Sequence, residues 1–84
     1  MKYLVFKHHS LFMPVIFPDH ISHSQVKLED CELVSGGFYD DRTGSVYGRA
    51  ESVGLKPNKE RDGVLIRSAL LNSGTSSFLD YEQL

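Results

Sequence analysis

The sequence has no tryptophan and only one cysteine, Cys31, so no intramolecular disulfide framework can staple the chain. A short chain without staples points to a cytoplasmic rather than a secreted setting. An excess of charge is missing too: nine Lys and Arg stand against eleven Asp and Glu, for a formal charge of −2 and a pI near 6.0. Dedicated nucleic-acid binders carry a basic face or a strongly basic domain, so nucleic acid is disfavoured as a partner. Nor is there a long hydrophobic run. Met1 to Phe17 is apolar but interrupted by Lys7, His8, His9 and Ser10, with no small-residue cleavage site. Neither a signal peptide nor a membrane span is expected.

What is present is an ordinary globular composition, 40% hydrophobic and 24% charged over 84 residues, enough for one domain and one modest core. A domain of this size buries roughly 60% of its unfolded surface, so association between subunits would add useful stability and a homo-oligomer is expected. The expected boundaries are one compact domain over 1–74 and a C-terminal arm, docked or disordered, over 75–84.

Lys2 to Lys7 and Leu11 to Phe17 are β-branched and aromatic runs separated by His8-His9-Ser10, which predicts a β-hairpin. Pro14 cannot donate to a ladder and places the second run at an edge or a bulge, where a partner strand could add. Ser22-His23-Ser24-Gln25 fits a capping box, and Ile21 with Val26 fits a hydrophobic staple, predicting a short helix from about His23 to about Glu29. Glu32 to Tyr39 and Ser45 to Val53 flank Asp40-Asp41-Arg42-Thr43-Gly44, a second hairpin with Gly44 in the left-handed conformation. Asn58 is a good N-cap, with Glu60 and Asp62 placed where a helix dipole favours acids. Ile66, Ala69 and Leu70, with Leu65 beside them, make the apolar stripe of a second helix that stops at Asn72-Ser73-Gly74. The competing reading turns the chain at Asp62-Gly63 and makes Val64 to Leu71 a strand.

Four constellations could carry chemistry. His8, His9, His20 and His23, with Cys31, are zinc-ligand types, but their spacing fits no standard module, and surface histidines are the simpler expectation. Cys31 with a histidine could form a nucleophilic pair, yet it lies between Asp30 and Glu32, whose charges disfavour the thiolate a nucleophile needs. It reads as a residue at a strand start, and no catalytic set is assigned. Gly36 and Gly37 lack the lysine and helix of a phosphate loop; a strand glycine marks a bulge, or a close approach by backbone or ligand. Finally, Arg49, Lys56, Lys59, Arg61 and Arg67 concentrate positive charge, with Tyr47 as a possible stacking face and Glu51, Glu60 and Asp62 in partial compensation. Gly36, Gly37, Tyr47, Arg49 and Lys56 are therefore the candidate ligand-binding residues, for a small anionic ligand or nucleotide.

The pieces Pro14-Val-Ile-Phe-Pro18, Ile21-x-His23-x-x-Val26, Val34-Ser-Gly-Gly-Phe38, Gly48-Arg-Ala-Glu-Ser52, Gly54-Leu-Lys56 and Asp62-x-x-Leu65-Ile66 are spread over about Tyr3 to Leu70. In order and spacing they resemble a group of short uncharacterised proteins of phages, prophages and bacteria, in which alanine often stands where this chain has Gly37. The resemblance implies a phage or prophage setting and a helix over Asp62 to Leu70. It carries over no catalytic, metal or binding residue.

The expected fold is α+β in the order β-β-α-β-β-α: an antiparallel sheet of two hairpins, one face packed on two helices and the other largely free to interact. The expected function is non-enzymatic binding without a cofactor, with a host protein as a possible partner. The alternative is a small-ligand or nucleotide-binding module, and a metal-dependent enzyme ranks last.

Overall fold

The computed structural model describes residues 1–73. The segment 75–84 and its expected role as an arm lie outside the described residues. Four strands, β1 (Lys2–His8), β2 (Leu11–Phe17), β3 (Glu32–Asp40) and β4 (Ser45–Tyr47), precede one helix, α1 (Asp62–Ser73). They form an antiparallel sheet in the spatial order β2-β1-β3-β4. The class is α+β, with one α-helix among the described residues rather than the two expected.

The first hairpin pairs Lys2 with Phe17 through to His8 with Leu11. A two-residue turn makes His8 and Leu11 the hydrogen-bonded closing pair, and His9 takes the positive φ (+57°) that such turns use at their first position. Bonded and non-bonded pairs then alternate, which puts Pro14, opposite Val5, in a non-bonded pair. Its missing N–H is one that would have pointed away from the sheet. β2 is an edge strand, as the proline predicts.

The capping box forms: Ser22 Oγ accepts from the Ser24 N–H, and the Ser22 N–H donates to Gln25 Oε1 at 2.7 Å. The helix it opens does not continue. It is a 3-10 turn of three residues, His23–Gln25, ended by Val26 in extended conformation, which corrects the expected helix to Glu29. Only Val26 of the residues that follow reaches the core, too little apolar surface to hold a further turn. The second hairpin turns as expected, with Gly44 at φ +72°. Its last strand is shorter than expected, ending at Tyr47; Glu51–Val53 is a second 3-10 turn.

Asn58 caps a turn over residues 59–61, its Oδ1 accepting from the N–H groups of Glu60 and Arg61 at 3.2 and 3.1 Å, but α1 itself begins at Asp62, so Glu60 precedes the first turn in which it was expected. The strand alternative for Val64 to Leu71 is ruled out by α1, whose Ile66 is fully buried with Leu65 and Leu70 packed around it. Gly63 allows the approach of this helix to the second hairpin, since a Cβ there would lie 3.0 Å from the Gly44 carbonyl oxygen.

Strand β1 is buried on both faces. Tyr3 and Val5 join Ile16, Tyr39, Val46 and Ile66 beneath α1. Leu4 and Phe6 join Phe17, Val26 and Ala50 on the opposite face. The expectation of a largely free second face is therefore corrected. The two 3-10 turns and the segments beside them fold back over it, and Val26, Ala50, Val53 and Leu55 supply the cover.

Candidate functional site

The loop from Gly48 to Asn58 turns back through an antiparallel bridge between Ala50 and Leu55 and stands beside β3. Two open clefts lie along it. The first, about 630 Å³, is lined by Val34, Ser35, Arg49, Lys56, Pro57 and Arg61 among others. The second, about 470 Å³, is lined by Lys2, Ser22, His23, Phe38, Glu51 and Ser52, with Arg49 again on its wall. Both volumes fall in the range of small-molecule sites.

Arg61 is held in place from three sides. Its Nε–H donates to Asp62 Oδ1 at 3.0 Å, an Nη2–H donates to Ser35 Oγ at 2.9 Å, and the guanidinium lies 4.5 Å from the centre of the Phe12 ring. Asp62 is fully buried and is fixed in turn: Oδ2 accepts from the Tyr3 hydroxyl at 2.7 Å and from the Asn58 N–H at 2.9 Å. Burial, and then the bond to Asp62, push the Tyr3 hydroxyl far above its ordinary pKa and keep it a donor. Asp62 is thus more than an acid placed for a helix dipole, because it anchors a cation at the cleft wall. Arg49 and Lys56 are exposed, and among the described residues neither pairs with a carboxylate.

Of the candidate ligand-binding residues, Arg49 and Lys56 come together at the first cleft, joined by Arg61. Gly36 and Gly37 are buried and line neither cleft. Their role is to admit the neighbouring loop: a Cβ on Gly37 would meet Pro57 Cγ at 2.7 Å and the Tyr47 carbonyl oxygen at 2.8 Å. The strand irregularity lies instead at Val34, skipped between the pairs Val5–Ser35 and Phe6–Leu33. Tyr47 is half-exposed and stacks on Phe38, with ring centres 5.6 Å apart, but it lines neither cleft. Lys59 and Arg67 face a different depression beside Gly44 and Gly63.

The histidines separate. His23 is buried, against the expectation of a surface group, and its Nε2–H donates to the Gly37 carbonyl at 2.9 Å while its ring meets Phe17 and Phe38 edge-on. A carbonyl accepts only, which fixes the proton on Nε2. Among the described residues no three His, Cys, Asp or Glu side chains gather as a metal-binding group. Cys31 does meet a histidine, with Sγ 3.8 Å from His8 Nδ1, which also lies 3.1 Å from the Asp30 carbonyl oxygen.

No helix among the described residues is long and apolar enough to cross a membrane. In comparisons with known proteins, no family model, curated protein or solved structure matches this chain.

Proposed function

We propose that this chain is a small, cytoplasmic, non-enzymatic binding protein of phage or prophage type that takes an anionic ligand in the cleft of Arg49, Lys56 and Arg61. One observation carries the reading: three cations from separate positions share a single cleft, and only Arg61 has a carboxylate partner among the described residues. An anion there gains one preset guanidinium and two side chains whose charge is not otherwise matched at contact distance. Pyrophosphate titrated into the intact chain by calorimetry tests this. Saturable binding that weakens with added salt, and by about tenfold in Arg49→Glu or Lys56→Glu, is expected. No heat and no thermal stabilisation at millimolar pyrophosphate would sink it. Both substituted residues are exposed, so loss of binding would not reflect loss of fold.

A host protein as partner is the second reading, favoured by Tyr47, half-exposed at the end of β4 and two residues before Arg49. Tyr and Arg are the residue types that anchor protein interfaces.

A further inference from the structure

His8 is the last residue of β1, and the pairing of Lys7 with Glu32 brings it beside Cys31, the residue before β3. Its Nδ1 lies 3.1 Å from the Asp30 carbonyl oxygen and 3.8 Å from Cys31 Sγ. A carbonyl only accepts, so Nδ1 carries the ring proton, within reach of both an oxygen and a sulfur. Left-handed residues stand next to both side chains: His9 (φ +57°) follows His8, and Asp30 (φ +61°) precedes Cys31. The His9 ring packs edge-on against His8, with centres 4.2 Å apart. Two side chains and one backbone carbonyl, from opposite ends of the neighbouring strands, thus converge on a single proton.

We propose that His8 Nδ1, Cys31 Sγ and the Asp30 carbonyl oxygen form a site for a divalent cation of the zinc class, which takes the place of that proton. With metal bonds of about 2.05 Å to nitrogen, about 2.3 Å to sulfur and about 2.1 Å to oxygen, the two separations correspond to angles at the metal of about 120° and about 97°, both close to tetrahedral. The thiol proton leaves to solvent, the ring proton moves to Nε2, and water takes the fourth position. Electrostatics favour the ion. Glu29, Asp30 and Glu32 place three carboxylates within four positions around Cys31, and among the described residues none forms an ion pair. Lys7, the register partner of Glu32, holds its ammonium over the Phe12 ring instead. The charge that disfavours a free thiolate here attracts a cation, and the bound cation then stabilises the thiolate. Sulfur and nitrogen donors select zinc-class ions over magnesium and calcium, which take oxygen. The ion clips the end of the first hairpin to the segment entering β3, a structural role separate from the anion cleft.

The test titrates the intact, untagged and reduced chain with Cd²⁺ and Zn²⁺. Cadmium should bind one ion per chain with an ultraviolet sulfur-to-metal charge-transfer band, and zinc should displace it and raise the melting temperature, whereas Mg²⁺ should do neither. Proton–nitrogen correlation spectra of the wild-type imidazoles should show the His8 proton on Nδ1 without metal and on Nε2 with zinc. Cys31→Ser should abolish the band, His8→Ala should weaken cadmium binding by tenfold or more, and His20→Ala should change neither. The absence of a charge-transfer band in the wild-type chain overturns the proposal. So does a His8 ring that keeps its Nδ1 proton in the zinc-bound chain, a result read on the wild type and independent of how the variants fold. Binding that His20→Ala weakens as much as His8→Ala also overturns it, because the ion would then be held by surface histidines.

Discussion

The Tyr3 hydroxyl donates a 2.7 Å hydrogen bond to Asp62, joining two buried side chains 59 residues apart in sequence, one on the central strand and one at the start of the only helix among the described residues. This bond fixes where α1 begins over the sheet. It also sets the carboxylate that orients Arg61 at the cleft.

Tyr3→Phe should therefore lower stability by about 1.5–3 kcal/mol, the worth of a hydrogen bond to a charged group, measured by urea unfolding at neutral pH. Asp62→Ala should be worse, about 3–5 kcal/mol, because it leaves the Tyr3 hydroxyl, the Asn58 N–H and the Arg61 guanidinium without their acceptor. A Tyr3→Phe chain as stable as the wild type would refute the importance given to this bond.

The same tyrosine predicts alkaline sensitivity. Its folded pKa is raised above the unfolded value of 10.0, first by burial and then by Asp62. Below pH 10 both states hold the proton and Tyr3 adds no pH dependence. As pH climbs past 10 only the unfolded state releases it, so stability falls with a slope approaching about 1.4 kcal/mol per pH unit. Thermal unfolding between pH 9 and pH 11 should show this decline, and Tyr3→Phe should show a shallower one.

Gly37→Ala should destabilise by about 1–3 kcal/mol, since the added methyl collides with Pro57 and the Tyr47 carbonyl oxygen. Two backbone segments must separate to admit it. The readout is the urea midpoint at an unchanged slope; a neutral Gly37→Ala would mean that the loop beside β3 gives way without strain.

Pro14→Val should increase self-association. The register turns the backbone nitrogen of residue 14 outward on the β2 edge, and valine would restore an N–H there as a template for another strand. Sedimentation of both chains at matched concentration should find the variant more associated. A variant no more associated than the wild type would count against proline as the guard of that edge.

Local rules were legible wherever a few neighbouring residues decide the geometry. The first hairpin, the edge position of Pro14, the Ser22–Gln25 capping box, the turn at Gly44 and the helix after Asn58 all rest on contacts within a handful of positions. What was not legible depends on distant sequence. Leu4 and Phe6 look like one face of a hairpin until the segments around Val26 and Ala50 fold over them, and nothing near His23 foretells its bond to Gly37. A capping box specifies where a helical turn starts, not how far it runs, so the length of the His23–Gln25 turn also escaped. In the cleft, Arg49 and Lys56 were visible as charges. Arg61 gains its place through its neighbour Asp62 and through Ser35 and Phe12, from two distant strands.

Because β1 has a hydrogen-bonded neighbour along each edge and a hydrophobic cluster against each face, its amides have no partial route to solvent. Releasing the hairpin turn or the end of α1 exposes other groups but leaves Leu4 to Phe6 enclosed. Hydrogen exchange at these three residues should therefore proceed only through complete unfolding, and their exchange free energies should coincide with each other and with the global stability. Any ligand that binds only the folded chain would slow all three by the same factor, which makes them internal reporters of binding for a site they do not touch.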